Sequence, residues 1–147
     1  MPERNRPIQK PAQRFEEIAD EALVAMKARA EELKIQGVAM AAHVPGKTTD
    51  SWSSKMVVVG SFKKGCSPKD PGMNVLAVAY AKAAEMADTF QASGSGVRPP
   101  MKGEFGWQGG LVKKGKSGYL ITAFSGGTGE EDVKVSQAGL DILAAVL

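Results

Sequence analysis

Two apolar runs, "VAMAAHV" (Val38 to Val44) and "KMVVVGSF" (Lys55 to Phe62), stand ten residues apart, and this spacing constrains the fold more than any other feature. The second run is rich in β-branched residues, which suit a pleated, half-buried surface. The connection, "PGKTTDSWSS", opens on a Pro-Gly break and is mostly polar. Parallel strands need a crossover of a dozen or more residues, usually helical, so the pair reads as an antiparallel hairpin with a long tip.

The remaining elements fall around that hairpin. From Ala12 to Leu33 apolar side chains recur at Phe15, Ile18, Ala22, Met26, Ala30 and Leu33, the period of an amphipathic helix, with Gly37 just beyond it. Residues 1–11, with three prolines, read as a flexible lead-in to a single domain over 12–147. An alanine-rich helix is expected from Met73 to Gln91, with Leu76, Ala79, Ala83 and Met86 on its buried stripe. Ser93 to Gly110 reads as a Gly- and Pro-dense loop carrying Phe105 and Trp107. A second hairpin is formed by "GLV" and "YLITAF" around "KKGKSG". Thr128 and Glu131 then make a capping box, which opens a last helix with Val133, Ala138, Ile142 and Val146 among its apolar positions. Hairpins separated by helices give an antiparallel sheet faced by helices, an α+β domain.

"AAHVPGKTTD" (Ala41 to Asp50) fits the loosest form of a phosphate-binding P-loop. That loop must run from a strand directly into a helix, whose N-terminus and backbone N–H groups hold the phosphates. Here Ala41 falls inside the first strand and the chain continues into another strand, with no further strand to supply a magnesium-binding Asp. The stretch reads as a hairpin tip, and its context argues against nucleoside triphosphate hydrolysis.

The 147 residues carry a net charge of +3, with basic residues gathered in the first fourteen positions and between Arg98 and Lys116. The few aromatics are not interleaved with them, which argues against nucleic acid as a partner. No apolar run reaches the length needed to cross a bilayer, and "MPERNRPIQKPAQRF" has no signal-like apolar stretch, so the expectation is a cytoplasmic protein. One cysteine, Cys66, excludes a disulfide framework and a cysteine zinc site. No Ser-His-Asp order, histidine pair or paired-carboxylate site is evident.

"ITAFSGGTGEEDVKVSQAGLDIL" (Ile121 to Leu143) is the most specific stretch. A strand breaks at Ser125, Gly126 and Gly127 and restarts as a helix capped by Thr128. The glycines permit positive φ or a close approach, and their N–H groups form a candidate anion-binding nest; a plain strand-to-helix turn is the alternative. Together with "AYAKAAEMA", "GVAMAAHV" and "GWQGGLV", this ending resembles the GlcG/HbpS-like domains, also called haem-degrading domains. The resemblance spans roughly Phe15 to Leu147 and implies a profilin-like fold: a five-stranded antiparallel sheet with helices on both faces, the fifth strand lying between Val97 and Gly106. It further implies homo-oligomers and binding of haem or a related tetrapyrrole, linked in some relatives to haem breakdown or redox sensing. The segment "HVPGKTTDSWSSK" departs from the family pattern, so a role for His43 is not inherited from it.

By strand alternation His43 shares a face with Ala39 and Ala41, which leaves room beside the imidazole for a flat macrocycle. As the sole histidine it is the candidate axial ligand to haem iron; the alternative is a strand-end histidine hydrogen-bonded to a neighbouring loop. Lys82, in the Ala-Lys-Ala that matches the family, is a partner for a propionate or for an acid of the last helix. Cys66, between lysines, is either a reactive thiolate or a plain surface cysteine. Met40, Met73, Met86 and Met101 read as core filler, and Phe105 and Trp107 lid a pocket or cover the sheet. Three functions follow: a haem-binding domain, an enzyme or accessory subunit for a small organic acid held by Lys82 and Ser125–Thr128, or an assembly module.

Overall fold

The computed structural model describes residues 11–65 and 67–147. The first ten residues of the expected lead-in, and Cys66 with the alternatives attached to it, lie outside them; Pro11 already belongs to the first helix.

Helix α1 (Pro11–Glu32) leads into β1 (Gly37–Pro45), which turns back as β2 (Ser53–Val59). A short ribbon of β3 (Lys63–Lys64) and β4 (Met73–Asn74) precedes α2 (Val75–Thr89). After a long loop come β5 (Gly110–Lys114), β6 (Gly118–Ser125) and α3 (Gly129–Val146). The main sheet is antiparallel, in the order β2-β1-β6-β5. Both expected hairpins form, and they join through the β1–β6 pairing, in which Val38 faces Ser125 and His43 faces Leu120. Ala41 lies inside β1, and the "GKT" glycine donates its N–H to the Ser117 carbonyl of the other hairpin tip, 3.1 Å away.

The sheet has four strands, not five. The stretch between Val97 and Gly106 is instead a loop held by ion pairs: Arg98 grips Glu104 through both terminal nitrogens at 2.8 and 2.9 Å, and its Nε donates to Asp88 on α2 at 2.9 Å. A guanidinium that takes two carboxylates this way orders a loop without any strand pairing.

Strand alternation divides the core. Ala39 and Ala41 join Phe15, Met26, Phe124, Val135 and Leu143 under α1 and α3. Val38, Met40, Ala42 and Val44 join Val75, Ala79, Ala83, Met86 and Ile121 under α2. Helices thus cover both faces of the sheet. In α3 the inward stripe differs from the expected one: Val133, Ala138, Ile142 and Val146 are only half-buried, while Asp132, Val135, Ser136, Gly139, Leu140 and Leu143 face inward. The cause is close packing on α1, since a side chain at Gly139 would strike the Met26 sulfur. Among the described residues no helix is long and apolar enough to cross a membrane.

Candidate functional site

Three features meet at the end of the sheet where β6 gives way to α3. Ser125 ends the strand, Gly126 and Gly127 form the turn, and Thr128 caps α3 by accepting from the Glu131 N–H at 3.2 Å while Glu131 Oε1 accepts from the Thr128 N–H at 2.9 Å. Asp132, one residue beyond the box, lies on the buried stripe of α3. Its Oδ1 accepts from the Gly127 N–H at 2.8 Å, so the turn's candidate anion nest is filled by the chain's own carboxylate. Its Oδ2 meets Lys82 Nζ of α2 at 2.9 Å, and that amine also donates to the Phe124 carbonyl at 2.8 Å. Both side chains are only 4% exposed.

The surroundings are shaped to admit this pair. At Gly109 φ is +138°, and a Cβ would stand 2.4 Å from Lys82 Nζ and 2.8 Å from Asp132 Cβ. The Gly109 carbonyl is fixed by the Ser136 hydroxyl at 2.6 Å. Gly126 serves backbone geometry: a Cβ there would fall 1.9 Å from the Gln36 carbonyl, so its missing side chain lets the α1–β1 connection pass against β6. Burial lowers the Lys82 pKa and raises that of Asp132, with each group's charge opposing the other's shift.

Above the pair opens a cavity of about 950 Å³. Its floor and inner wall are Lys82, Asp132, Val75, Ser125, Gly126 and Gly127; the β3–β4 ribbon adds Lys64 and Met73, and the long loop adds Trp107. Lys64 Nζ donates to the Gly126 carbonyl and ties the ribbon to the turn. Trp107 is stacked on Phe105 with ring centroids 4.6 Å apart, and the two rings remain 45% (Phe105) and 43% (Trp107) exposed. The loop beneath them is held by Arg98 and by Glu85, which accepts from the Gly94 N–H at 2.7 Å. Ser125 is 4% exposed and lines the cavity, and no fully buried side-chain nitrogen or oxygen among the described residues lacks a hydrogen-bond partner.

Of the six residues singled out in the sequence, Lys82, Ser125, Gly126 and Gly127 therefore come together, while Thr128 turns its hydroxyl back into its own helix. His43 does not join them. It lies on the α1 face of β1, five residues along the strand from Val38, a distance of roughly 17 Å at strand rise. The imidazole is 3% exposed, stacked on Phe15 at 6.3 Å, and its Nε2 lies 3.3 Å from the Ser117 hydroxyl. Burial holds its pKa below the usual histidine value, opposed by the hydrogen bond at Ser117. This is the strand-end histidine bonded to a neighbouring loop. No group of three or more His, Cys, Asp or Glu side chains able to hold a metal ion occurs among the described residues.

Asp132, Gly109 and the β3–β4 ribbon are the parts of the site that sequence reasoning did not single out. Asp132 was detectable, because it is in register with Val135, Ser136 and Gly139, whereas Glu130 and Glu131 are not.

No family model matches the sequence, and no curated protein matches it. Among solved structures, the fold is similar to the crystal structure of Klebsiella pneumoniae protein ORFY, a DUF336 (GlcG-like) protein. The match has a TM-score of 0.60 over 97% of each chain, at 14% identity. At that identity the likeness concerns the fold alone.

Proposed function

We propose that this domain binds a small organic acid in the cavity above Lys82 and Asp132. The observation that carries this reading is the Lys82 ammonium, buried and lining the cavity beside Ser125. An ammonium has three donors, and two of those of Lys82 are used by Asp132 and Phe124. The third N–H and the serine hydroxyl supply two donors for a carboxylate or carbonyl oxygen, and Trp107, Met73 and Val75 offer apolar surface to the ligand body.

The volume also favours a larger planar ligand, and haem is the competing reading. The lining contains no histidine, and His43 as folded is stacked beneath α1, so the residues present do not fit iron ligation at this cavity by that imidazole. A hemin titration followed at the Soret band separates the two: a saturating, stoichiometric band would replace the organic-acid reading with the tetrapyrrole one.

The direct test is thermal unfolding with a panel of small mono- and dicarboxylates and 2-oxo acids. A ligand at a hundred times its Kd stabilises by about 2.7 kcal/mol. For a chain of this size that raises Tm by about 5–10 °C. Ser125→Ala should diminish the rise, and Lys82→Arg, which keeps the charge but not the geometry, should abolish it. A flat response across the panel would sink the reading.

A further inference from the structure

Resting on that reading of the cavity, we propose that Lys82 is a covalent anchor: its amine condenses with the carbonyl carbon of a small 2-oxo acid or aldehyde to form an imine. The geometry supplies each requirement. Lys82 lines a cavity large enough for such a ligand, and the missing side chain of Gly109 admits the amine to its place beside Asp132. Asp132 Oδ2, 2.9 Å away, is placed to exchange a proton with it. Ser125 stands in the same wall and brings a hydroxyl that can donate to the ligand's oxygen.

The step balances within these groups. The ammonium passes one proton to the Asp132 carboxylate, a transfer that burial favours because it removes two charges from a poorly solvated site. The neutral amine then attacks the carbonyl carbon; the C–N bond forms as the C=O π pair moves onto oxygen, and a proton moves from nitrogen to that oxygen. The Asp132 carboxyl returns its proton to the resulting hydroxyl. That hydroxyl leaves as water while the nitrogen lone pair closes the C=N bond. In sum, ammonium and carbonyl give a protonated imine and water, with the carboxylate restored. The cation at residue 82 and the anion at residue 132 are both present before and after, so the buried ion pair survives in the product. That feature distinguishes this lysine from one whose charge is lost on modification.

Lys64 is an internal control, since its amine lines the same cavity but is exposed and donates to the Gly126 carbonyl rather than to a carboxylate. The experiment is reductive trapping of the whole chain with glyoxylate and cyanoborohydride at neutral pH, with adducts assigned by peptide mass spectrometry. Lys82 should be labelled several-fold faster than Lys64 or the exposed Lys113, approaching one adduct per chain. In Asp132→Asn the labelling should slow by about a hundredfold, the lower range for loss of a positioned acid–base group. Labelling of Lys82 no faster than Lys64 and Lys113 overturns the proposal, and this comparison in the unaltered protein stands even if the variant fails to fold. Glyoxylate without reductant separates the two readings. A rise in Tm with Lys82 unlabelled defeats the covalent step and leaves acid binding intact; neither a rise nor labelling defeats both.

Discussion

Replacing Lys82 by methionine tests the centre of the site through stability alone. The substitution keeps the side chain long and apolar but leaves Asp132 buried without its cation and the Phe124 carbonyl without its donor. Breaking one half of a buried pair costs about 3–5 kcal/mol, because the remaining charge is uncompensated. At roughly 2–4 °C of Tm per kcal/mol for a chain of this length, the expected fall is about 10 °C. The double variant Lys82→Met/Asp132→Asn should regain much of it, since a neutral amide can still accept from the Gly127 N–H. What then remains is about 1–3 kcal/mol for the orphaned carbonyl. The pH dependence supplies a second check. With the ammonium gone, burial, the largest influence on Asp132, is opposed only by the Gly127 N–H and the Lys64 charge and holds the folded pKa above the unfolded value. The native state then binds more protons than the unfolded one, so the deficit of the single variant must shrink as pH falls from 7 to 5. Urea unfolding of the three proteins at both pH values is sufficient. A deficit at pH 7 below about 1 kcal/mol, in the range of exposed pairs, or one that does not shrink at pH 5, would refute the account of a buried, mutually dependent pair.

Three further outcomes follow from individual contacts. Gly109→Ala places a Cβ 2.4 Å from Lys82 Nζ at a φ of +138°, and should lower the urea midpoint by the equivalent of about 1–3 kcal/mol of strain while abolishing ligand stabilisation; an unchanged midpoint contradicts the packing described. Trp107→Ala removes a ring that is 43% exposed, so stability should stay within about 0.5 kcal/mol while affinity for an aromatic or planar acid weakens by about 0.5–1.5 kcal/mol, read by titration calorimetry. For His43, burial lowers the folded pKa below 6.5, so its contribution is complete above pH 6.5 and is lost as pH falls toward the folded value; His43→Phe should remove that part of the stability–pH slope, and an identical slope would show that another group produces it.

Fold and sequence agree where the signal is local. The periodicity of Phe15, Ile18, Ala22, Met26 and Ala30 marks α1, and all five are buried. The capping box at Thr128 and Glu131 forms as its spacing predicts. The hairpin tip at "GKTTD" follows from Ala41 lying inside a strand. The misreadings are tertiary in origin. A fifth strand was expected between Val97 and Gly106, but Arg98 reaches Asp88, ten residues back, and that long-range pairing has no local signature. The inward face of α3 was misplaced because Asp132, Ser136 and Gly139 are not apolar. Their burial depends on Lys82, the Gly109 carbonyl and Met26, which lie on other elements.

The same logic separates the surroundings of His43 from those of Lys82. His43 drew notice because it is the sole histidine, yet uniqueness says nothing about which face of a strand a side chain takes. Alternation along β1 decides that: odd positions from Ala39 to His43 go under α1, while the cavity opens at the far end of the strand, beside Ser125. Lys82 carries the opposite lesson. Lysine almost never buries fully unless paired, so a lysine in register with Val75, Val78, Ala79 and Met86 on a helix stripe requires a buried acceptor. Only an acid on another helix's buried stripe answers that requirement, and of Glu130, Glu131 and Asp132 just the last is in register. A buried ion pair is weak evidence for stability, since well-packed apolar residues do as well. Its position in the wall of a cavity, beside Ser125, therefore argues for chemistry rather than scaffolding.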